Sequence, residues 1–557
     1  MSSLGHQLTT SVLVVGSGAS GLRAAIEVAE AGVAVVVVTQ RAREDAPASA
    51  AWDHAEWAPA PARPGDTGER HLADTSRQSR LPAASPSERI APRAAAQPIE
   101  GVEPRGRRPD RTDSMSTTRL TGPDLHRALR VRVRQLAIPV LPHVYVTRLL
   151  VDNGTVFGAY GFGLVDGSRY LVHADAVILA TGGHTRIWRH TSSRRHENTG
   201  GSLRLAAEAG ARLRDPDLVQ FHPFGLIEPD HAAGMPLSDS ARHAGGVLLN
   251  NLGERFMTRY DPERMELSAQ ETVARASYTE IQEGRGSRSG GVWLDLSHLP
   301  GDTVLARLPH LHRTLLELQM LDITRDPVEV VPTACISLGG IWIEAEDHST
   351  DVDGLFAVGE AVGSPHRPEE DSLSELFTHG RITGRAAVEY SATLTGPRHS
   401  PAATRAAEAD VLRLVAAEGD HNARALQRAV RRLITDHAGV VRDEAGLVAG
   451  LTALDEIEAR TADIGVHIDI GGFSDLAHAY DLRSAVLAAR ATLQCARERL
   501  GPQGCHHRSD RPGAAPALPD AMVWSATTGV RRTPLWPAPT GITEPWRDAS
   551  DDAGPAV

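Results

Sequence analysis

Gly16-Ser17-Gly18-Ala19-Ser20-Gly21 constrains this chain more than any other passage. It follows a run of β-branched residues, Ser11–Val15, that reads as a buried strand. It opens a helical pattern, Leu22–Ala31, with Gly32 placed to cap its C-terminus. Val33–Thr39 then reads as a second buried strand, which completes a βαβ unit. In such a turn the first glycine permits the tight bend, the second lets backbone approach a pyrophosphate, and the third lets helix and strand pack closely. The helix N-terminus faces the anion. An acid at the end of the second strand would bind a ribose hydroxyl, and Thr39 stands there instead.

A second glycine motif, Ala180-Thr181-Gly182-Gly183, ends another buried strand, Ala176–Ala180, after a strand pair. That pair, Val144–Val151 and Val156–Gly161, is joined by a turn carrying Asn153-Gly154. A motif of this kind far downstream of the first favours a flavin dinucleotide over a nicotinamide one.

At 557 residues the chain is too long for one core, and two or three domains are expected. A net charge of −12 gives no attraction to nucleic acid or anionic membrane. All 58 basic residues are arginine, so no side-chain amine exists for Schiff-base chemistry. Cys335, Cys495 and Cys505 are too few and too scattered for an iron–sulfur cluster, zinc site or disulfide framework. With neither a signal peptide nor an apolar run near the roughly 20 residues that span a bilayer, a cytoplasmic location is expected.

Regularity fails between about residues 42 and 118, a stretch rich in Ala, Pro, Arg and Ser that reads as loop. It returns with a helix at Asp124–Leu136 and another at Ser202–Gly210. Residues 222–338 read as a mixed insertion. After Pro401 the pattern is helical: Thr404–Ala417, Ala423–Asp436, Glu444–Ala462 and Leu482–Leu500. Residues 513–557 are Pro-rich and read as an irregular tail.

Several further passages stand in a telling order. They are Val219-Gln220-Phe221-His222-Pro223, Gly245–Asn250, Gly253-Glu254-Arg255-Phe256-Met257, Pro332-Thr333-Ala334, Gly354–Glu360 and Ser372-Leu373. With the two glycine motifs, the chain resembles the succinate dehydrogenase/fumarate reductase flavoprotein family from about residue 11 to residue 512. Within it, His437–Arg442 and Gly504–Asp510 are most similar to the L-aspartate oxidases.

The resemblance implies an α/β fold: a Rossmann-like FAD-binding domain at 1–221 and 339–395, an inserted α+β capping domain at 222–338, and a C-terminal helical domain at 396–512. It implies FAD, and hydride transfer between a small amino or carboxylic acid and flavin N5. The cofactor site carried over comprises Gly16, Gly18, Ala19, Ser20, Gly21, Thr39, Gln40, Arg41, Ala180, Thr181, Gly182, Asp215, Glu360, Ser372 and Leu373. The flavin is expected to be non-covalent, because His54 in the loop after the second strand replaces a glycine and not the attaching histidine.

The family surrounds its substrate with His, Thr, Glu and two Arg. His222 matches the histidine, Ser238 and Asp239 occupy the Thr-Glu positions, and Arg242 matches an adjacent arginine. Other positions depart. Gln270 stands where a proton-shuttling arginine is expected, and Cys335 where a second histidine is expected. His366–Ser372 replaces a run bearing a carboxylate-gripping arginine. Ala51-Trp52-Asp53-His54 replaces a glycine loop that passes the flavin ring. A flavoenzyme with a changed substrate is the first reading; a degenerate, non-catalytic subunit or binding protein is the alternative. An NAD-dependent dehydrogenase would explain only the first βαβ unit. The electron acceptor is not written in any residue.

Overall fold

The computed structural model describes residues 5–41, 56–57, 120–344, 346–363, 372–396, 398–468, 472–514 and 520–534. The βαβ unit forms as read, with longer elements. Strand β1 is Gly5–Val15, helix α1 is Ala19–Glu30 and strand β2 is Val35–Val38. Helix α1 starts three residues before the reading placed it, because Ala19, Ser20 and Gly21 already have helical backbone; Gly32 ends it in the left-handed conformation, φ 75°.

The main sheet runs in the order β3-β2-β1-β6-β5-β4. Here β3 is Val140–Leu141, β4 Val144–Asp152, β5 Thr155–Gly163 and β6 Arg169–Leu179. Strands β3, β2, β1 and β6 are parallel, whereas β4, β5 and β6 are antiparallel neighbours. Asn153 and Gly154, at φ 49° and 76°, make the tight β4–β5 turn that the Asn-Gly pair demands. Helix α2, Gly122–Gln135, packs on α1; helix α3 is Gly201–Ala209.

The insertion is built on an antiparallel sheet of its own. Its strands are β8 (Val219–Leu226), β9 (Val247–Leu249), β10 (Val292–Asp295) and β11 (Val328–Ser337), in the order β8-β11-β10-β9. Helices α4 (Gln270–Glu280) and α5 (Pro309–Gln319) belong to it. It has a separate apolar core, around Phe224, Leu248, Phe256 and Leu294. The chain then returns through β12 (Gly340–Ile341) to β13 (Leu355–Ala357), which pairs in parallel with β6. Helix α6, Ser372–Thr393, packs along α1, with Gly380 and Gly384 so close to it that a Cβ would meet Ser20 O and Ala24 O.

Four helices follow: α7 Pro401–Val415, α8 Ala423–His437, α9 Glu444–Arg460 and α10 Ser474–Glu498. The last starts eight residues before the sequence reading, and its first turns are buried. The expected irregular tail is corrected in part. Asp520–Ser525 (β14) and Gly529–Pro534 (β15) form a hairpin, and β14 pairs with β7, Leu213–Arg214. The prolines around it mask this in the sequence, but Ala521, Met522, Val523 and Trp524 are all buried and supply the driving force.

Candidate active site

The C-terminal ends of β1 and β2 and the turn after β6 converge on one cavity of about 1060 Å³. The Gly16–Gly21 turn, Thr39, Gln40 and Arg41 at the end of β2, Ala180, Thr181 and Gly182 after β6, and Glu360 all line it. The local backbone explains the glycines. Gly16 has φ 115°, and a Cβ there would collide with Ala180 O. Gly18 has nothing within 4 Å of its Cβ position, so its open face gives onto the cavity. No side chain caps the N-terminus of α1. Thr181 Oγ1 is buried with no hydrogen-bond partner. These are the features of a cradle for a dinucleotide pyrophosphate.

The cradle is braced by a polar network. Ser17 Oγ donates to Thr39 Oγ1 at 2.9 Å. Asn198, at φ 49°, accepts the Gly183 N–H at 2.9 Å and donates to Glu360 Oε2 at 3.1 Å. Glu360 also accepts the Ser337 N–H at 3.0 Å, so its carboxylate ties β11 to the loop Thr191–Thr199. That loop, with Arg186, Tyr145 and Val146, lines the cavity and was missed from the sequence. Its polar run Thr191–Thr199, just before α3, was the available signal.

One expected cofactor residue lies elsewhere. Asp215 does not line the cavity. Its carboxylate accepts from Met522 N at 2.8 Å and Arg499 Nη2 at 2.6 Å, because β14 packs on the adjacent β7. The side chains of Ser372 and Leu373, which open α6, the Trp52–His54 loop and residues 364–371 are outside the described residues.

The expected substrate residues divide. Ser238 lines the cavity; His222, Asp239 and Arg242 do not. His222 Nδ1 accepts the Phe224 N–H at 3.2 Å, and burial lowers its pKa to about 4, so it is neutral at pH 7. Arg242 meets both Asp239 oxygens, at 2.6 and 2.8 Å, and also donates to the carbonyls of Glu266 and Ser268. These bonds lie within the insertion, and Arg242 is not among the residues that line the cavity. Gln270 Oε1 accepts from Gln220 Nε2 at 2.8 Å, which fixes an amide pair where a shuttle was expected. Cys335 lines the cavity, is 3% exposed, and its Sγ lies 3.4 Å from Gln220 O. No group of three or more metal-ligating side chains occurs among the described residues.

Residues 11–370 match the family described as FAD binding domain, and residues 427–534 match fumarate reductase flavoprotein C-term. The chain belongs to the succinate dehydrogenase/fumarate reductase flavoprotein family. It is 32% identical over 526 residues to one of the subunits of the fumarate reductase (CoM/CoB) of Methanothermobacter marburgensis, covering 91% of this chain and 95% of that one. It is 31% identical over 529 residues to an uncharacterised FAD-dependent oxidoreductase of Methanocaldococcus jannaschii, with 91% and 94% covered. Among solved structures, FrdA of E. coli quinol fumarate reductase superposes with a TM-score of 0.85 at 25% identity, covering 95% of this chain and 96% of that one. Sdh1 of Mycobacterium smegmatis gives 0.82 at 29%, covering 95% and 94%.

This flavoprotein is therefore an FAD-dependent oxidoreductase by family, and its cavity fits the cofactor. The open face of Gly18, the unpartnered Thr181 hydroxyl and the uncapped α1 suit the pyrophosphate. Arg41, Arg186, Arg194 and Arg195 add positive charge to the same wall. The likeness to L-aspartate oxidase is not reproduced in these relatives.

Proposed function

We propose that this flavoprotein catalyses hydride transfer between flavin N5 and a small organic acid or a carbonyl relative of one, in a site whose substrate residues have been replaced. Bound FAD would supply the two-electron chemistry. Residues 1–221 with 339–395 would hold the cofactor, residues 222–338 would cap the substrate, and 396–512 would form the helical support. The supporting observation is a single cavity lined by the Gly16–Gly21 turn, Glu360, Ser238 and Cys335, which joins the cofactor cradle to the wall of the insertion.

The chain's own residues set the chemistry open to it. Ser238 offers a hydroxyl to a substrate oxygen. His222 is neutral and can hold its neighbours but brings no positive charge. Gln270 cannot exchange a proton, and a positioned acid or base is commonly worth about 10²–10⁴-fold in rate. Ordinary L-aspartate oxidase turnover is accordingly expected to be slow; the oxidase-like passages 437–442 and 504–510 lie in the C-terminal elements. We place the FAD as non-covalent and the protein in the cytoplasm, where three free, buried cysteines are at home. No described helix is long and apolar enough to cross a membrane. Several relatives are named as subunits, so a partner protein's redox group stands beside a small oxidant as the candidate electron acceptor.

The test is the absorbance spectrum of the purified chain, followed by anaerobic mixing with reductant and with L-aspartate, succinate and fumarate. Flavin bands that bleach and recover with an organic substrate support the reading. A chain that takes up no FAD, or whose flavin reacts with no organic donor or acceptor, rejects it in favour of a non-catalytic role.

A further inference from the structure

A buried acid on α10 is bonded to two separate residues of the cavity wall. His478, Asp481, Ser484 and Ala488 are spaced by three, three and four residues, which puts them on one face of that helix. The face meets the segment His196–Arg204. The His478 ring stacks on His196 with centroids 6.2 Å apart. Asp481 Oδ1 accepts from Thr199 Oγ1 at 3.1 Å, and Ser484 Oγ accepts from Arg204 Nε at 3.0 Å. Gly200, at φ 84°, lies so close that a Cβ would sit 3.1 Å from Ala488 Cβ and from Ser484 O. His196, Thr199 and Arg204 all line the cavity. Tyr145, from β4, lines it too, and its hydroxyl donates to the same Asp481 Oδ1 at 2.8 Å. One carboxylate oxygen thus holds both β4 and the loop before α3. Fixing Thr199 also steadies its neighbour Asn198, which bridges Gly183 and Glu360.

Asp481 is 5% exposed, and the groups around it pull in both directions. Arg204 of α3 and Arg186 of the segment after β6 favour its ionised form. Tyr145 stays neutral, its hydroxyl pushed well above the usual range by burial. His478 Nδ1 lies 4.0 Å from Asp481 Oδ2. Burial, then Arg424, Arg195 and His196, lower the pKa of that imidazole to about 4, so it is neutral at pH 7. Elsewhere on α10, Asp475 faces Arg424 of α8, and Tyr480 and Arg483 donate to Asp410 of α7. Burial outweighs the hydrogen bonds and the two arginines and raises the Asp481 carboxyl to about 6, so it changes charge near neutral pH.

We infer that Asp481 is a positioning residue for the cofactor: through Tyr145 and Thr199 it sets the wall against which FAD binds, and its protonation tightens that binding. The pyrophosphate brings two negative charges into the cavity, so bound FAD favours the neutral carboxyl, and a proton is taken up from solvent as FAD enters. A neutral carboxyl or an amide still accepts from both hydroxyls, so the bonds persist and only the charge is lost. Affinity is then highest below pH 6 and falls as the pH rises. A rise of about one unit in the carboxyl's pKa on binding is worth about tenfold in affinity across its titration. The inference stands on the cofactor and not on the substrate.

FAD binding to the flavin-free full chain is measured by titration calorimetry between pH 5 and 8, in buffers of different ionisation enthalpy. The wild type, Asp481→Asn and Asp481→Ala are compared, with near-ultraviolet circular dichroism as the check of folding. The wild type is expected to lose at least about threefold in affinity from pH 5 to pH 8, and to take up protons on binding between pH 6 and 7. Asp481→Asn should keep the low-pH affinity throughout, with proton uptake reduced. His196, whose protonation would act in the same direction, is present in both proteins, so the difference belongs to Asp481. Asp481→Ala should bind FAD at least about tenfold more weakly at every pH, because two wall hydroxyls lose their acceptor. If that variant does not fold, the Asp481→Asn comparison decides alone. An Asp481→Asn protein with the wild-type pH profile and proton uptake would overturn the assignment, as would a folded Asp481→Ala protein of undiminished affinity. A wild type that binds no FAD would overturn it together with the cofactor. A bound flavin that reacts with no organic substrate would reject the hydride-transfer reading and leave these titrations unaffected.

Discussion

At the scale of single residues, two glycines of one turn have different duties. Gly16 sits at φ 115° with Ala180 O in the way of any added Cβ, so its demand is on the fold. Gly16→Ala is expected to cost about 1–3 kcal/mol of stability through backbone strain alone, read as a lower midpoint in urea. Gly18 has ordinary φ and open space, so Gly18→Ala should leave the urea midpoint unchanged and lower FAD retention on gel filtration. Asp481 is a second informative residue. Tyr145 and Thr199, both on the cavity wall, donate to its Oδ1 at 2.8 and 3.1 Å. Burial raises its pKa from 3.8 to about 6 despite these bonds. A raised folded pKa means the protonated form is favoured by folding. The associated stability is complete below about pH 4 and is lost as pH rises through about 6, some 3 kcal/mol at 1.36 kcal/mol per pH unit. Asp481→Asn is expected to flatten the fall in stability between pH 4 and 7 in urea titrations.

At the scale of elements, a buried ion-pair network joins α10 to the β7–β8 turn. Arg499, fully buried just past the end of α10, donates to Asp217 at 2.7 and 3.0 Å and to Asp215 at 2.6 Å. His506 Nε2 lies 3.0 Å from Arg499 O, and Arg442 donates to Asp217 O at 2.9 Å. Removing the cation would leave two buried carboxylates without their partner. Arg499→Ala is expected to cost about 3–5 kcal/mol, measured by chemical denaturation, and to release the C-terminal helices before the main sheet by hydrogen exchange. The hairpin β14–β15 seals the same joint through Met522 N to Asp215. Truncation before Asp520 should therefore loosen α10, an effect that an irregular tail would not have.

At the scale of the whole molecule, the cofactor cavity is where the separate parts meet. A ligand that binds only the folded chain stabilises it by about 2.7 kcal/mol at 100 times its Kd. Added FAD is expected to raise the urea midpoint of the flavin-free protein by that order, with no gain for Gly18→Ala. Periodicity and turn chemistry act locally, so the βαβ unit, the Asn153-Gly154 hairpin and the C-terminal helices were legible in the sequence. The glycine motifs were equally legible, because a positive φ or a close backbone approach leaves a residue-type signature. Partner choice across hundreds of residues has no such signature. The sequence could place Asp215 beside a motif, but only packing shows it bonded to Arg499, 284 residues away. It could align Arg242 with a family arginine adjacent to the substrate pair, but only the folded chain shows that guanidinium closed on Asp239 and two carbonyls. Residue order was thus enough for the dinucleotide cradle, the family and the replaced residues. Which side chains reach the cavity, and which are consumed in holding it, was settled only by folding, because hydrogen-bond partners and desolvation depend on neighbours in space and not along the chain.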